Sequence, residues 1–167
     1  MDTILGVDQS YTSSGYCVIG PTNLVTDIGV FKTDKNLDIY SRALKVSEFV
    51  ISKIQQHKVN HLVLEGLAFG MTGNSTRDLA GLLFTVMTNV RSRKIKVIES
   101  IVAPTALKKF ATGSGTAAKG NMYTHVPTEV KRMITDGGLK KTTGMYDACD
   151  AYWLARYGIS ISSGNRT

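Results

Sequence analysis

Ile4-Leu5-Gly6-Val7-Asp8-Gln9-Ser10-Tyr11-Thr12-Ser13-Ser14-Gly15-Tyr16-Cys17-Val18-Ile19 decides how the rest of the chain is read. Two apolar runs flank a polar turn, and one carboxylate, Asp8, closes the first run. Ile4 to Val7 has the character of a buried strand and Tyr16 to Ile19 that of its antiparallel partner. Gly15 is expected to let the chain turn back between them. A lone ionised carboxylate beside low-dielectric core is costly unless something compensates it. In isolation Asp8 reads equally well as a turn cap acting through its side-chain oxygen. Three further acids in matching places tip the reading the other way.

The elements that follow place those acids. Leu24 to Phe31 alternates as a third strand. Asn36 to His57 has helical spacing, with Ile39, Leu44, Val46, Phe49, Val50 and Ile54 as its apolar face and Asn36 or Asp38 as its cap. His61 to Leu64 is a compact apolar run ending in Glu65, a fourth strand expected to lie parallel to the first. A glycine-punctuated loop, Gly66 to Asn74, leads to a helix over Ser75–Arg93 with Leu79, Leu82, Leu83, Val86 and Val90 inward. Ile95 to Ile98 reads as a fifth strand. Pro104 opens a short helix that Gly113-Ser114-Gly115-Thr116 breaks, and Ala117 to Ile134 is helical with an interruption at Pro127. Thr142 or Thr143 is the expected cap of a last helix from Met145 to Tyr157. The expected architecture is α/β: a mixed five-stranded sheet, three antiparallel strands and then parallel ones, with helices on both faces. Residues 1–157 form one domain and residues 158–167, rich in Ser, Gly and Asn, a flexible tail.

At 167 residues with 43% apolar and 20% charged content, the chain is long enough to bury a core without disulfides or metals. No stretch approaches the ~20 apolar residues of a membrane span, so a cytoplasmic location and no membrane partner are expected. Cys17 and Cys149 have no metal-ligand spacing and read as buried thiols. The net charge of +7 is unevenly placed. Residues 91–141 hold eleven Lys and Arg against Glu99, Glu129 and Asp136, a local excess of +8, while the remainder is nearly neutral. A basic segment on a neutral body points to a polyanion.

Asp147 and Asp150 lie three residues apart on the last helix and share a face. With Asp8 and Glu65 at two strand ends, they make four acids that would repel one another if crowded without a cation. Two Mg²⁺ ions bring +4 against −4, and hard divalent ions favour carboxylate and water oxygens. His57, His61 and His125 are scattered and offer no softer site. A pair of ions ~4 Å apart suits in-line attack on a phosphodiester, and the basic segment would hold the backbone.

These residues resemble a known family. Ile4-Leu-Gly-Val-Asp8, Gly15-Tyr16, Leu64-Glu65 and Asp147-Ala-Cys-Asp150 resemble the RuvC-like Holliday junction resolvases of the RNase H-like superfamily, in order and with similar spacing from about residue 3 to 157. The stretch Leu107-Lys108-Lys109-Phe-Ala-Thr-Gly113-Ser114-Gly115-Thr-Ala-Ala-Lys119 resembles the family's lysine, glycine-x-glycine and second lysine. Without added domains, the chain is most similar to bacteriophage versions. The resemblance implies that Asp8, Glu65, Asp147 and Asp150 bind two Mg²⁺ (or Mn²⁺) ions. Lys119 would then lie near the scissile phosphate, and Lys108, with Lys109 beside it, would contact DNA. It also implies a homodimer that nicks two strands of a four-way junction and leaves 5′-phosphate and 3′-hydroxyl ends. A substrate with two-fold symmetry and two cuts requires two sites.

The sequence departs from the family in three places. Gln9-Ser10 stands where Pro-Gly is common. Phe69 comes one position later than the family's junction-stacking aromatic, and Ala117-Ala118 lacks the charge often found before Lys119. Phe69 is either a stacking wedge or an anchor for its own loop. Gly113-Ser114-Gly115 is either a phosphate-facing loop or a helix break. Three other functions compete. An RNase H-type enzyme on RNA–DNA hybrid shares the metal chemistry. An ATP-binding fragment of the sugar kinase and actin-like class shares the first hairpin but needs a second lobe. A junction-binding module without catalysis would leave the acids without a role.

Overall fold

A computed structural model describes residues 2–68 and 73–164, with Lys119 and Gly164 described by their backbone alone. Five strands form one sheet: β1 (Ile4–Asp8), β2 (Ser13–Ile19), β3 (Val25–Lys32), β4 (His61–Glu65) and β5 (Ile98–Val102), in the order β3-β2-β1-β4-β5. The first three are antiparallel, and β4 and β5 run parallel to β1 and to each other. This is the mixed sheet read from the sequence.

Strand alternation sends side chains to two cores. Leu5, Val7, Val18, Leu62 and Leu64 face α1 (Ile39–His57) and α2 (Asn74–Ser92). Ile4, Cys17, Ile19 and Val63 face α6 (Met145–Gly164) and the short helices α3 (Pro104–Thr112), α4 (Lys119–Thr124) and α5 (Thr128–Asp136). Both thiols are buried, Cys149 with its pKa pushed up to about 12 by burial and by the neighbouring Asp150. Among the described residues no helix is long and apolar enough to cross a membrane.

Asp38 caps α1, accepting from the Ser41 N–H at 2.9 Å. The buried stripe of α1 is Ala43, Val46, Ser47, Val50, Ile51 and Ile54, at strict helical spacing. Leu44 and Ile39, expected inward, lie off that stripe and are exposed, as is Leu79 on α2.

Four further expectations are corrected. Gly15 is not a turn residue: it lies inside β2, paired opposite Asp8, and its φ is not positive. The fifth strand is Ile98–Val102 rather than Ile95–Ile98. Its ladder must start level with His61, which the Ile98 N–H bond to the Asn60 carbonyl (2.8 Å) achieves, while Ile95 and Val97 pack into the α1/α2 core from the connector. The last helix continues past Tyr157 to Gly164, because Gly158 fits against Val63 and Ile4 and Ser162 meets the buried His61 ring at 3.0 Å. Thr143 closes the preceding turn instead of capping α6: its hydroxyl accepts from the Lys140 N–H at 2.7 Å.

Candidate active site

The carboxyl ends of β1 and β4 lie side by side. Val7 pairs with Leu64 in parallel register, so Asp8 and Glu65 are the next residues on neighbouring strands, which run about 4.8 Å apart. Alternation along both strands turns Asp8 and Glu65 to the α6 face, opposite to Val7 and Leu64. The helix crosses the sheet on that same face at backbone distance. A Cβ on Gly15 would lie 1.9 Å from the Asp147 carbonyl oxygen, and one on Gly6 would lie 2.3 Å from that of Ala151. Because Gly15 pairs with Asp8, the first turn of α6 is set down beside the end of β1. The acid of that turn, Asp147, accepts a hydrogen bond from Ser13 Oγ at 2.9 Å. Asp150, one turn on, is 5% exposed.

Two residues that the sequence reading passed over hold this edge together. Gln9 is 7% exposed, and its Nε2 donates to the Glu65 carbonyl oxygen at 2.5 Å, tying the chain after β1 to the end of β4. Ser13 orients Asp147. The signal for Ser13 was present, since it precedes Gly15 by two and so shares its face. Gln9 was visible only as a departure from Pro-Gly. The turn between β1 and β2 is held by its own hydroxyls: Ser14 Oγ accepts from the Ser10 N–H (3.0 Å) and donates to the Ser10 carbonyl (2.8 Å).

The predicted basic residues lie on the two helices that follow β5. Lys108 and Lys109 lie on α3, half-buried and exposed respectively. Gly113 caps α3 with φ 82°, its N–H donating to the Lys109 carbonyl at 2.8 Å, and the Ser114 N–H donates to Thr112 Oγ1. A Cβ on Gly115 would come 3.2 Å from the Thr105 carbonyl oxygen. Hydrogen bonds within the turn thus account for two of the loop's N–H groups, as a helix break requires. Lys119 opens α4, which Trp153 Nε1 ties to α6 through the Met122 carbonyl at 3.1 Å. Phe69, the proposed wedge, and the Lys119 side chain lie outside what the structure describes.

Among the described residues, no group of three or more His, Cys, Asp or Glu side chains forms a ready-made metal cage. Magnesium in general keeps several waters and takes one or two carboxylates together with substrate phosphate oxygens. The candidate donors are carboxylate oxygens throughout, chemically suited to such an ion. His61, the histidine closest in sequence, is bound to Ser100 and Ser162 hydroxyls, and burial lowers its pKa.

A family model described as "Crossover junction endodeoxyribonuclease RuvC" matches residues 4–155. The chain belongs to the RuvC family. It is 26% identical over 151 residues to the RuvC of Petrotoga mobilis, spanning 89% of this chain and 87% of that one. It is also 26% identical over 170 residues to the RuvC of Neorickettsia sennetsu, spanning 96% of each. Among solved structures, Thermus thermophilus RuvC in complex with a Holliday junction substrate superposes with a TM-score of 0.69 at 19% identity, over 98% of this chain and 97% of that one. The RuvC match covers all five strands and every helix, with α6 matched as far as Ala155.

Proposed function

We propose that this RuvC-family chain is a crossover junction endodeoxyribonuclease that resolves four-way DNA junctions as a homodimer. Asp8, Glu65, Asp147 and Asp150 would hold two Mg²⁺ ions, with Mn²⁺ able to substitute. The observation that carries the reading is the backbone contact of α6 on Gly15, which brings Asp147 to the strand ends bearing Asp8 and Glu65.

The chemistry that a bound pair of divalent cations supplies is activation of the attacking water and neutralisation of charge at the leaving 3′ oxygen. The protein's part is to hold the donors still. Ser13 fixes the orientation of the Asp147 carboxylate, and Gln9 fixes the backbone from which Glu65 projects. Both supports act before substrate arrives, so ordering the site costs little when the phosphate binds. Lys108, Lys109 and Lys119 follow one another from α3 into α4, and Gly113 to Gly115 turn the chain between them. They would meet the phosphate backbone, with Lys119 nearest the bond that breaks. Cleavage leaves a 5′-phosphate and a 3′-hydroxyl.

The test uses synthetic four-way junction, fork, linear duplex and RNA–DNA hybrid, each with and without Mg²⁺. Junction cleavage that needs the metal and exceeds duplex and hybrid cleavage is expected. Preferred cutting of the hybrid would return the chain to RNase H-type chemistry. Asp8→Asn, Glu65→Gln, Asp147→Asn and Asp150→Asn should each lose cleavage by about a thousandfold or more while junction binding persists. Cutting retained in any one removes that residue from the site.

A further inference from the structure

Beyond Asp147, on the side away from Glu65, the sheet edge opens into a cavity of about 210 Å³, several times the ~30 Å³ share of one water. Ser13, Lys32, Lys141, Thr142, Tyr146 and Asp147 line it. Lys32 ends β3 directly across from Ser13 in the antiparallel ladder, so the two side chains project from one face of the sheet. Lys141 and Thr142 reach the cavity from the loop before α6, and Lys32 and Lys141 are exposed. The formal charge on the walls is two lysines against one carboxylate. The sum is one positive charge for an incoming anion of charge −1, and Ser13 already donates to that carboxylate. A phosphodiester carries that charge, and hydroxyl and ammonium donors suit its oxygens. Lys32 lies outside the basic segment 91–141, so the charge excess read from the sequence did not identify it.

We infer that this cavity seats a DNA backbone phosphate next to the one that is cut, with Lys32 and Lys141 as its charged walls. The inference rests on the reading of Asp147 as an active-site acid. A strand laid along the carboxyl edge of the sheet from β4 toward β3 passes Glu65, Asp8 and Asp147 and then enters the cavity. Its contribution is registration: a phosphate held here fixes which neighbouring phosphodiester faces the acids. Contacts of this kind position a strand without reading its bases.

The experiment measures binding of the full chain to a four-way junction without divalent metal, across a range of salt. The double variant Lys32→Gln/Lys141→Gln should lower the slope of log K against log salt by about 1. Lys45→Gln, an exposed lysine on α1, should leave it unchanged. Replacing single backbone linkages around the cut site by neutral methylphosphonate should locate one adjacent linkage whose neutralisation weakens wild-type binding roughly tenfold. The double variant should be insensitive to that same replacement. An unchanged salt slope, or equal loss from the methylphosphonate in wild type and variant, overturns the cavity assignment. If instead Asp147→Asn still cuts while the slope falls as expected, the catalytic role of Asp147 fails and with it the seat's place beside the cut, while the cavity stands as a backbone-phosphate site.

Discussion

The two faces of the sheet are packed by different means. On the α1/α2 face, helices stand off on Val, Leu and Ile side chains, and the Phe31 and Phe49 rings stack at 4.4 Å. On the other face, α6 lies on Gly6 and Gly15 with no side chain between backbone and backbone, and its own Gly158 fits against Ile4 and Val63. A layer of side chains absorbs small changes by rotamer adjustment, whereas backbone contact does not. The face packed without slack is the one that carries the acids. The proposed metal-binding role of those acids would need placement to within a fraction of an ångström, and a helix seated on glycine would provide it.

The largest expected effect comes from removing that seat. In Gly15→Ala the new Cβ would lie 1.9 Å from the Asp147 carbonyl oxygen, so the first turn of α6 must move. Urea unfolding should show a loss of about 3 kcal/mol, and junction cleavage should fall further than that instability explains. A Gly15→Ala protein as stable and active as wild type would show that α6 floats on this face as freely as α1 does on the other.

How much of this was legible beforehand differs between the faces as well. The side-chain-packed elements announce themselves by periodicity: α1 with Asp38 as one of two candidate caps, β4, and the sequence of three antiparallel strands followed by parallel ones were all readable. The strand-end positions of Asp8 and Glu65 were readable too, because each closes an apolar run. Backbone contact leaves no hydrophobic signature. Gly15 therefore read as a turn, although its missing Cβ serves a helix 132 residues away in sequence. The end of α6 was lost for the same reason, since Ser160, Ser162 and Ser163 look like tail while Gly158 and Ser162 are fitted to β1 and β4 residues. The fifth strand was misplaced because Ile95 and Val97 are more buried in character than Ile98 and Ile101, the exposed residues of an edge strand.

The α1/α2 face has a charged feature of its own, and it sharpens the contrast. Asp27 on β3 accepts from Lys53 Nζ at 2.6 Å and from Tyr16 OH at 3.2 Å, with His57 Nε2 at 3.0 Å and the Lys53 ammonium 4.6 Å from the Tyr16 ring centre. Burial raises the Asp27 pKa, but the Lys53 hydrogen bond and charge, aided by His57 and Tyr16, outweigh it and hold the carboxyl below its ordinary value. A carboxylate so neutralised is structural. Lys53→Met should cost about 1.5–3 kcal/mol with cleavage per folded molecule unchanged. Because the folded pKa is depressed, the stabilisation is present above the unfolded value of ~3.9 and is lost as pH falls from there through the lower folded value. Asp27→Asn should flatten that part of an acid unfolding curve. Cleavage that fell with Lys53→Met would couple the two faces and break the comparison.

Gln9 tests the catalytic edge more gently. Gln9→Ala removes the tie to the Glu65 carbonyl and should cost about 1 kcal/mol of stability. Single-turnover cleavage should fall about tenfold while the junction Kd stays within twofold, since Gln9 supports the carboxylate side and not the phosphate seats. Equal losses in rate and affinity would make Gln9 a general strut.

The smallest effect has the opposite sign. Gly81 lies inside α2, where a new Cβ would meet only Tyr11 OH, at an ordinary 3.6 Å. Alanine there relieves the helix of glycine's backbone freedom without touching a neighbour. Gly81→Ala should therefore stabilise the chain by about 0.5–1 kcal/mol and leave cleavage as it was. The sign carries the comparison: one added methyl group should harm the glycine-seated face and help the side-chain-packed one. Destabilisation by Gly81→Ala would mean that α2 is fitted to Tyr11 as closely as α6 is to Gly15, and the special rigidity of the catalytic face would have to be found in its hydrogen bonds instead.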